Sequence, residues 1–538
     1  MADGNVSTTV ELKHDKLVVA AIDFGTTYSG YAICTRHDYK TKPNDPKIAD
    51  FLTRETMLEE SIEVKNPENK KKMRAIDVFA AVISYFKDDL LQTEQDKGIS
   101  FTENDVQWVL TVPAIWDLKA RQFMRDAAEQ AGIPGDQLSL ALEPEAASIH
   151  CRRVPIGVTS DDDGSKQIAA MEVGSQYLVL DQGGGTTDIV VHEVTGKHTL
   201  KEIVQACGGH WGGITVNEEF YSFLIKLLGG DVINEVKEHN PSDYFQFLFN
   251  FENAKTSFTD DHAKSPKGSL NVRIPYNWLQ HYEKLSKCEL KDTIKQSKFK
   301  GGSVVVKGDK LRIKHNLFRS FFDYSIENVL THMDKLLKQR ELKDVHTILI
   351  VGGHSKSTVL TNAIAEKFGK TYDIVVPKDP EIAILKGAVL FGFDPELITS
   401  RVSQYTYGVA MQRPFIPGVD DESKKKYLIN GLVDNVFDKH VEIGQIVNVG
   451  EFLPEHDYVP ASREYQGVHF EFYATEEKNP VYVTNKGCSC IGVLYFELTE
   501  NTNRRDMTLK LNTSGTELVA IITERSTGKQ SKGYFSLF

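Results

Sequence analysis

Two stretches of the chain carry the same alternation of apolar run, acidic turn and apolar run. LVVAAIDF (17–24) is uninterruptedly apolar up to its Asp, as in a strand buried on both faces, and YSGYAIC (28–34) returns from it; LVLDQGGGTTDIVV (178–191) repeats the pattern. Each predicts a strand, a tight glycine turn and a second strand. Between them, AIDVFAAVISYFKDDLL puts Ile76, Phe79, Ala80, Ile83, Phe86 and Leu90 on one helical face. VQWVLTVPAIWD predicts a strand ending in a proline turn. A helix from about 118 follows, with Ala120, Met124, Ala127, Ala128 and Ala131 on one face and Gly132 as its stop. The segment from Thr35 to Arg74 is polar and proline-punctuated and predicts no strand, and SDDDGSKQ (160–167) reads as a loop.

Helical spacing resumes near 215 and again in the aromatic YFQFLFNFENAKTSF (244–258). HTILIVGGHSKSTVL (346–360) is a further strand, glycine turn and helix, and EIAILKGAVLFGF closes the series. Strands alternating with helices predict one α/β body over 17–398. From Tyr405 onward the pattern changes to short Val/Ile/Phe/Tyr runs separated by turn residues: YTYGVAM, HVEIGQIVNVG, GVHFEFYA, CIGVLYFEL, MTLKLNT and ELVAIITE. Residues 399–538 therefore read as a second, all-β domain, and 1–16 as a disordered N-terminal tail.

Composition narrows this picture. The 538 residues, 41% apolar and 26% charged, fit a globular multidomain chain. A net charge of −12, with basic runs only at 70–72 and 424–426, speaks against nucleic acid as a partner. Six scattered cysteines fit no disulfide framework, and only Cys488 and Cys490 are close-spaced; without a second Cys/His pair nearby they read as two small residues, not a metal site. No stretch approaches the roughly 18 continuous apolar residues of a membrane span, and the N-terminus has no secretory pattern. The expectation is a cytoplasmic protein.

A glycine-tipped hairpin can aim several backbone N–H groups at one point, which suits a phosphate. Thr26, Thr27, Thr186 and Thr187 would add hydroxyl donors. Asp23, Asp181 and Asp188 would repel a phosphate unless a divalent cation such as Mg²⁺ stood between. A bare hairpin turn explains either copy alone, but two copies suggest a duplicated α/β lobe clasping a nucleotide's phosphates from both sides of a cleft. Gly369-Lys370-Thr371 resembles the end of a P-loop, but Ile364 occupies the place of its leading glycine, and no dinucleotide-binding glycine motif follows a strand.

AIDFGTTYSG, TVPAIW, LEPEAASI, LDQGGGTTDIVV, GGHWGG, FENAKTSF and LIVGGHSK, in that order, resemble the DnaK-type heat-shock chaperone ATPases of the actin and hexokinase superfamily. The YSGYA and EPEAA forms and the style of the C-terminal region are most similar to the atypical member-twelve branch of the heat-shock-seventy proteins. The resemblance implies a two-lobed, actin-like (duplicated ribonuclease H-like) ATPase domain that binds ATP or ADP with Mg²⁺, followed by a β domain that receives a polypeptide client or protein partner.

Residue by residue, the resemblance implies that Asp23, Gly25, Thr26, Thr27 and Tyr28 hold phosphates and the water shell of Mg²⁺. Asp181, Gly183, Gly184, Gly185, Thr186 and Asp188 would face them. Asp23 and Asp181 would reach the metal through water, with Asp181 orienting the attacking water and Glu143 holding metal-bound water. Glu252 and Lys255 would meet the ribose and adenine, or else form an i, i+3 surface salt bridge. Gly212, Gly213, Gly352 and Gly353 would line the nucleoside pocket, and His354 is given no role. Three features depart from the family. The 35–74 segment is shortened where a phosphate-reaching lysine belongs, the ITSRVSQ linker lacks the acidic, leucine-rich character, and no helical lid follows the β domain. Together they imply nucleotide binding with weak hydrolysis, in a chaperone-like protein or, alternatively, a nucleotide-gated scaffold or signalling adaptor. A small-molecule kinase of the same superfamily is a third reading.

Overall fold

The computed structural model describes residues 16–25, 29–41, 50–54, 63–65, 72–98, 101–153, 171–265, 268–297, 299, 301–429, 431–460, 462, 465–499, 505–513 and 517–536. The expected N-terminal tail, the 160–167 loop and the Thr26–Thr27–Tyr28 turn lie outside them.

Both repeated hairpins open a sheet of the same topology. In the first, the strands run in the spatial order Asp50–Arg54, Ser29–Thr35, Val18–Phe24, Val106–Val112, Leu138–Leu142. The first three form an antiparallel meander, and the last two add in parallel. In the second, Leu200–Gly209, Thr187–Val194 and Gln176–Gln182 form the meander, and Val345–Val351 and Asp373–Val375 add in parallel. Numbered within each lobe, both sheets read third, second, first, fourth, fifth. The repetition in sequence is thus a repetition of architecture: the polarity pattern implied the α/β body and the β-rich C-terminal region, and the doubled hairpin with the family resemblance implied the two lobes.

The Gln176–Gln182 strand explains why its sequence is continuously apolar. Tyr177 and Val179 enter one hydrophobic core while Leu178 and Leu180 enter another, so both faces are covered. Each lobe's fifth strand runs into a helix, Glu143–Arg153 in the first lobe and Ala383–Phe393 in the second, and these two helices cross at the lobe junction. A Cβ on Gly387 would run into the Ala146 carbonyl, so the small residues of KGAVLFG are what bring the two backbones together. The Ala75–Asp96 helix buries Ala80, Ile83, Phe86 and Leu90, and the Leu118–Gln130 helix buries Met124, Ala127 and Ala128.

Two departures from the polarity pattern matter for function. Asp50–Arg54 is an edge strand paired with Ser29–Ile33, although no strand was expected there; its hydrogen-bonding partner, not its own weak pattern, specifies it. The second is at the 398/399 boundary. Ile398–Val402 adds to the second lobe's sheet, parallel to the Leu200–Gly209 strand, and Ile446–Asn448 adds beyond it. The segment joining the domains is therefore a sheet strand.

The C-terminal region contains two four-stranded antiparallel sheets. One orders Leu432–Val441, Thr406–Pro414, Gly467–Thr475 and Ser489–Glu497; the other orders His456–Tyr458, Met507–Asn512, Glu517–Glu524 and Gln530–Ser536. Val409, Phe472, Ile491, Leu509, Leu518 and Ile522 fill one core between them.

Candidate functional site: a carboxylate cleft between two glycine hairpins

Asp23 ends the first strand of the first lobe and Asp181 sits at the matching position of the second. Asp188 lies directly across the hairpin from Asp181, and Glu143 begins the helix that follows the first lobe's fifth strand. Asp181 and Asp188 are each 1% exposed and Glu143 is buried. Charge repulsion connects these four groups. Burial raises the Glu143 carboxyl well above its usual range, and the neighbouring charges of Asp23, Asp181 and Asp188 push it further. Burial does the same to Asp181, reinforced by Asp188 and Asp23. Asp23 keeps a narrow solvent opening but is enclosed by protein, which lifts its carboxyl to about 6 against a hydrogen bond from Thr111 Oγ1 at 2.5 Å.

Asp188 is the best anchored, accepting the Ile115 N–H at 2.8 Å, and it alone of the four feels a cation, Arg121. Neither carboxylate oxygen of Asp181 has a hydrogen-bond partner among the described residues. Four buried carboxylates cannot all ionise side by side without a compensating charge. An all-oxygen set suits a hard divalent cation, and because no three of these carboxylates come within direct-ligand reach of one another, they fit Mg²⁺ held through water. Gly352, at φ +87°, lies against this group: a Cβ there would strike Asp181 Oδ1.

The second hairpin's tip is held by a helix. The N–H groups of Gly212, Gly213 and Ile214 donate to the carbonyls of Gly185, Gly183 and Gly184 at 3.3, 3.1 and 2.8 Å, docking the start of the Ile214–Leu228 helix on the glycine turn. A Cβ on Gly212 would come within 2.5 Å of Gly184 O and 2.7 Å of Gly183 O. Only glycine permits that approach. Thr186 and Thr187 are buried beside the turn, the latter donating to Gln182 Oε1 at 3.2 Å. On the first hairpin Ser29 Oγ donates to the Gly25 carbonyl at 3.2 Å.

Lys255 Nζ, only 8% exposed, contacts Glu252 Oε2 at 2.7 Å and donates to Asn217 Oδ1 at 3.0 Å and Gly213 O at 3.1 Å. Asn217 closes the ring by donating to Glu252 Oε2 at 3.1 Å. The i, i+3 salt bridge foreseen as the plainer reading therefore exists, but with Lys255 buried and Glu252 half-buried it clamps the Pro241–Ser257 helix to the Gly212–Gly213 turn. Gly353 faces open space, so sterics do not require glycine there. His354, given no role from sequence, packs where a Cβ on Gly213 would meet its Nδ1 at 3.1 Å. Burial, with Lys255 nearby, holds its ring neutral, down to about 3.

The sequence reading also missed a buried network around the interdomain strand. Arg401 forks onto Glu145, with Nε–Oε1 2.8 Å and Nη2–Oε2 2.7 Å. The Val402 N–H donates to Glu202 Oε2 at 2.8 Å, and Gln404 Oε1 accepts from Arg121, whose guanidinium also holds the Ala114 carbonyl. Glu145 lies two residues beyond Glu143, and Ala114 precedes the residue that anchors Asp188. No single segment signals these pairs, because Arg401 and Glu145 are 256 residues apart.

A family model described as "Hsp70 protein" matches residues 45–413. The chain belongs to the Hsp70 family. Among relatives, it is 29% identical to human heat shock 70 kDa protein 12A over 634 aligned positions, covering 98% of this chain and 92% of that one. It is also 29% identical to human heat shock 70 kDa protein 12B, over 89% and 84% of the two chains. Chaperone protein DnaK of Mycoplasmopsis synoviae is 22% identical over 75% of this chain and 64% of its own length. The 12A alignment is longer than the 538 residues of this Hsp70-family chain, so that relative carries positions this chain lacks. Among the described residues no helix is long and apolar enough to cross a membrane.

Proposed function

We propose that this chain binds ATP or ADP with Mg²⁺ in the cleft between its two lobes and serves in the cytoplasm as a chaperone-like protein with slow hydrolysis. The observation that carries this reading is the meeting of Asp23, Glu143, Asp181 and Asp188 between two glycine hairpins, with both Asp181 oxygens buried and unpaired. When bound, Mg²⁺ supplies charge neutralisation between these carboxylates and the phosphates. In this reading Asp23 and Asp181 hold its water shell and Glu143 holds a further water. Asp181 also orients the attacking water, and the hairpin glycines and threonines bind phosphate. Lys255 and Glu252, with Gly212, Gly213, Gly352 and Gly353, flank the nucleoside.

We infer slow turnover from the shortened 35–74 segment, where the family resemblance would place a phosphate-reaching lysine. Among the described residues, the only cation acting on the four carboxylates is Arg121, beside Asp188. Lys40 is exposed on its short helix, Lys42, Lys47, Lys70 and Lys71 lie outside the described residues, and of Lys65 and Lys72 only the backbone is described. Positioned cations and donors at a transferring phosphoryl group are commonly worth about 100-fold or more in rate.

Calorimetric titration of the full chain with Mg-ATP tests the reading, with Asp181→Asn as the comparison. The wild type is expected to bind and Asp181→Asn to bind much more weakly. Absence of wild-type binding overturns the assignment. A second reading, a nucleotide-gated scaffold or adaptor, is favoured by the interdomain strand's incorporation into the ATPase sheet, which ties the β domain's position to the cleft. A peptide array separates the two: broad recognition of apolar extended segments supports the chaperone, and silence supports the adaptor.

A further inference from the structure

The β domain holds a second cluster of ligating side chains, far in sequence from the cleft residues. Asp438 and His440 sit at i and i+2 of the Leu432–Val441 strand, and His456 and Tyr458 at i and i+2 of the short His456–Tyr458 strand. The two strands belong to different sheets. Asp438, His440 and His456 each present a donor atom, all within 4.8 Å of one another, the one such group of three among the described residues.

We propose that Asp438, His440 and His456 bind a divalent transition-metal cation, zinc foremost, that ties the two sheets of the β domain together. Tetrahedral zinc with bonds of about 2.0–2.2 Å to nitrogen and oxygen sets its ligand atoms roughly 3.4 Å apart. The Asp438 Oδ2 separations bracket that value, 2.9 Å to His456 Nδ1 and 3.8 Å to His440 Nε2. The two imidazoles stack with centroids 3.8 Å apart and planes at 21°, so one ring turns out of the stack for both to ligate a single cation in plane. Two imidazoles and one carboxylate form a mixed donor set that suits zinc and its neighbours, whereas Mg²⁺ and Ca²⁺ favour oxygen alone.

Surrounding groups orient the set. The Tyr458 hydroxyl donates to Asp438 Oδ2 at 2.5 Å and lies 2.8 Å from His440 Nε2, so it draws the carboxylate and the inner ring together and a bound cation would replace it at both atoms. The His440 side chain is fully enclosed, while those of His456 and Asp438 are 31% and 22% exposed, which leaves a route from solvent to the donors. Cys488 and Cys490 take no part: their thiols contact the carbonyls of Tyr482 and Gly492.

The test uses the untagged full chain, freed of metal with a chelator and titrated with Zn²⁺ by calorimetry, and with Co²⁺ by visible absorption. One zinc per chain, tetrahedral Co²⁺ bands and a melting temperature raised by zinc and lowered again by chelator are expected. His456→Gln and Asp438→Asn should each weaken zinc by more than the roughly 10- to 100-fold typical of a lost supporting residue. Both positions are partly exposed, and circular dichroism checks that each variant folds. The Cys488→Ser/Cys490→Ser variant should bind as the wild type does. No zinc binding, affinity unchanged in both ligand variants, or affinity lost in the cysteine variant would overturn the proposal.

Discussion

Replacing Arg401 with Met tests whether the interdomain strand is structurally part of the ATPase body. Arg401 and Glu145 are both under a tenth exposed and paired through two short hydrogen bonds, so the substitution leaves a carboxylate buried without its partner. His192 cannot replace the guanidinium, because burial holds its ring neutral, down to about 4. Arg121 is already committed to Ala114 O and Gln404. Breaking one side of a buried pair costs about 3–5 kcal/mol, whereas removing both charges is often close to neutral. Arg401→Met should therefore destabilise the α/β body by about that amount, and Arg401→Met/Glu145→Gln should recover most of it. The assay is urea unfolding followed by tryptophan fluorescence. All four tryptophans, Trp108, Trp116, Trp211 and Trp278, lie in the α/β body, so the signal reports that unit alone. A loss below about 1 kcal/mol, or a double variant as unstable as the single one, would refute the reasoning.

Glu202 is buried beside this pair, and burial first, then the Glu145 charge, raise its carboxyl from 4.5 to about 8. The folded state then holds a proton that the unfolded chain releases. The contribution is full below about 4.5 and lost as pH rises to about 8, at roughly 1.4 kcal/mol per pH unit at most; Glu202→Gln should flatten a stability–pH profile across that window. Gly352→Ala forces a side chain into φ +87° and against Asp181, and should lower stability by at least about 2 kcal/mol in a chemical melt. Lys255→Met should weaken Mg-ATP binding in calorimetry while leaving inorganic tripolyphosphate nearly unaffected, because its contacts lie on the Gly213 side of the cleft.

The architecture was legible in sequence to the extent that local polarity reports burial. The doubled hairpin, the Ala75–Asp96 and Leu118–Gln130 helices and the change to β structure near 405 follow from apolar spacing alone. Asp50–Arg54 escaped because an edge strand takes its specification from a neighbour's backbone groups, and Ile398–Val402 because its pairing partners on both sides are distant in sequence. Among site residues, Asp23 and Asp181 stood out because each sits beside a glycine turn in a repeated pattern, and Gly212 only through the family resemblance. His354 is next to a recognised glycine turn and could have been noticed from that adjacency. Thr111, Asn217, Arg401 and Glu145 could not, since each acts through a partner on a distant segment. The DKH and HDY runs show the same limit: each alone is an ordinary strand fragment, and only the packing of two sheets brings Asp438, His440 and His456 together.

The placement of Glu143 and Glu145 links the two halves of the molecule. Both lie in the first turn of one helix: Glu143 feels the carboxylates of the cleft, and Glu145 holds the interdomain strand through Arg401. If the cleft binds a cation with phosphates as proposed, the added charge would offset the mutual repulsion of the four carboxylates. A ligand at 100 times its Kd stabilises the closed form by about 2.7 kcal/mol, the same order as the Arg401 pair. A shift of the Glu143 end of this helix upon ligand binding must carry Glu145 with it, since residues two apart in one helical turn move as a unit. The bidentate geometry of Arg401 then leaves two outcomes: the strand follows the helix, or the pair breaks at a cost comparable to the binding energy. Under the proposed function, either outcome would make the attachment of the β domain depend on the occupancy of the cleft. The basic, polar ITSRVSQ segment can thus couple the domains through Arg401, without the acidic, leucine-rich linker that the typical chaperones use.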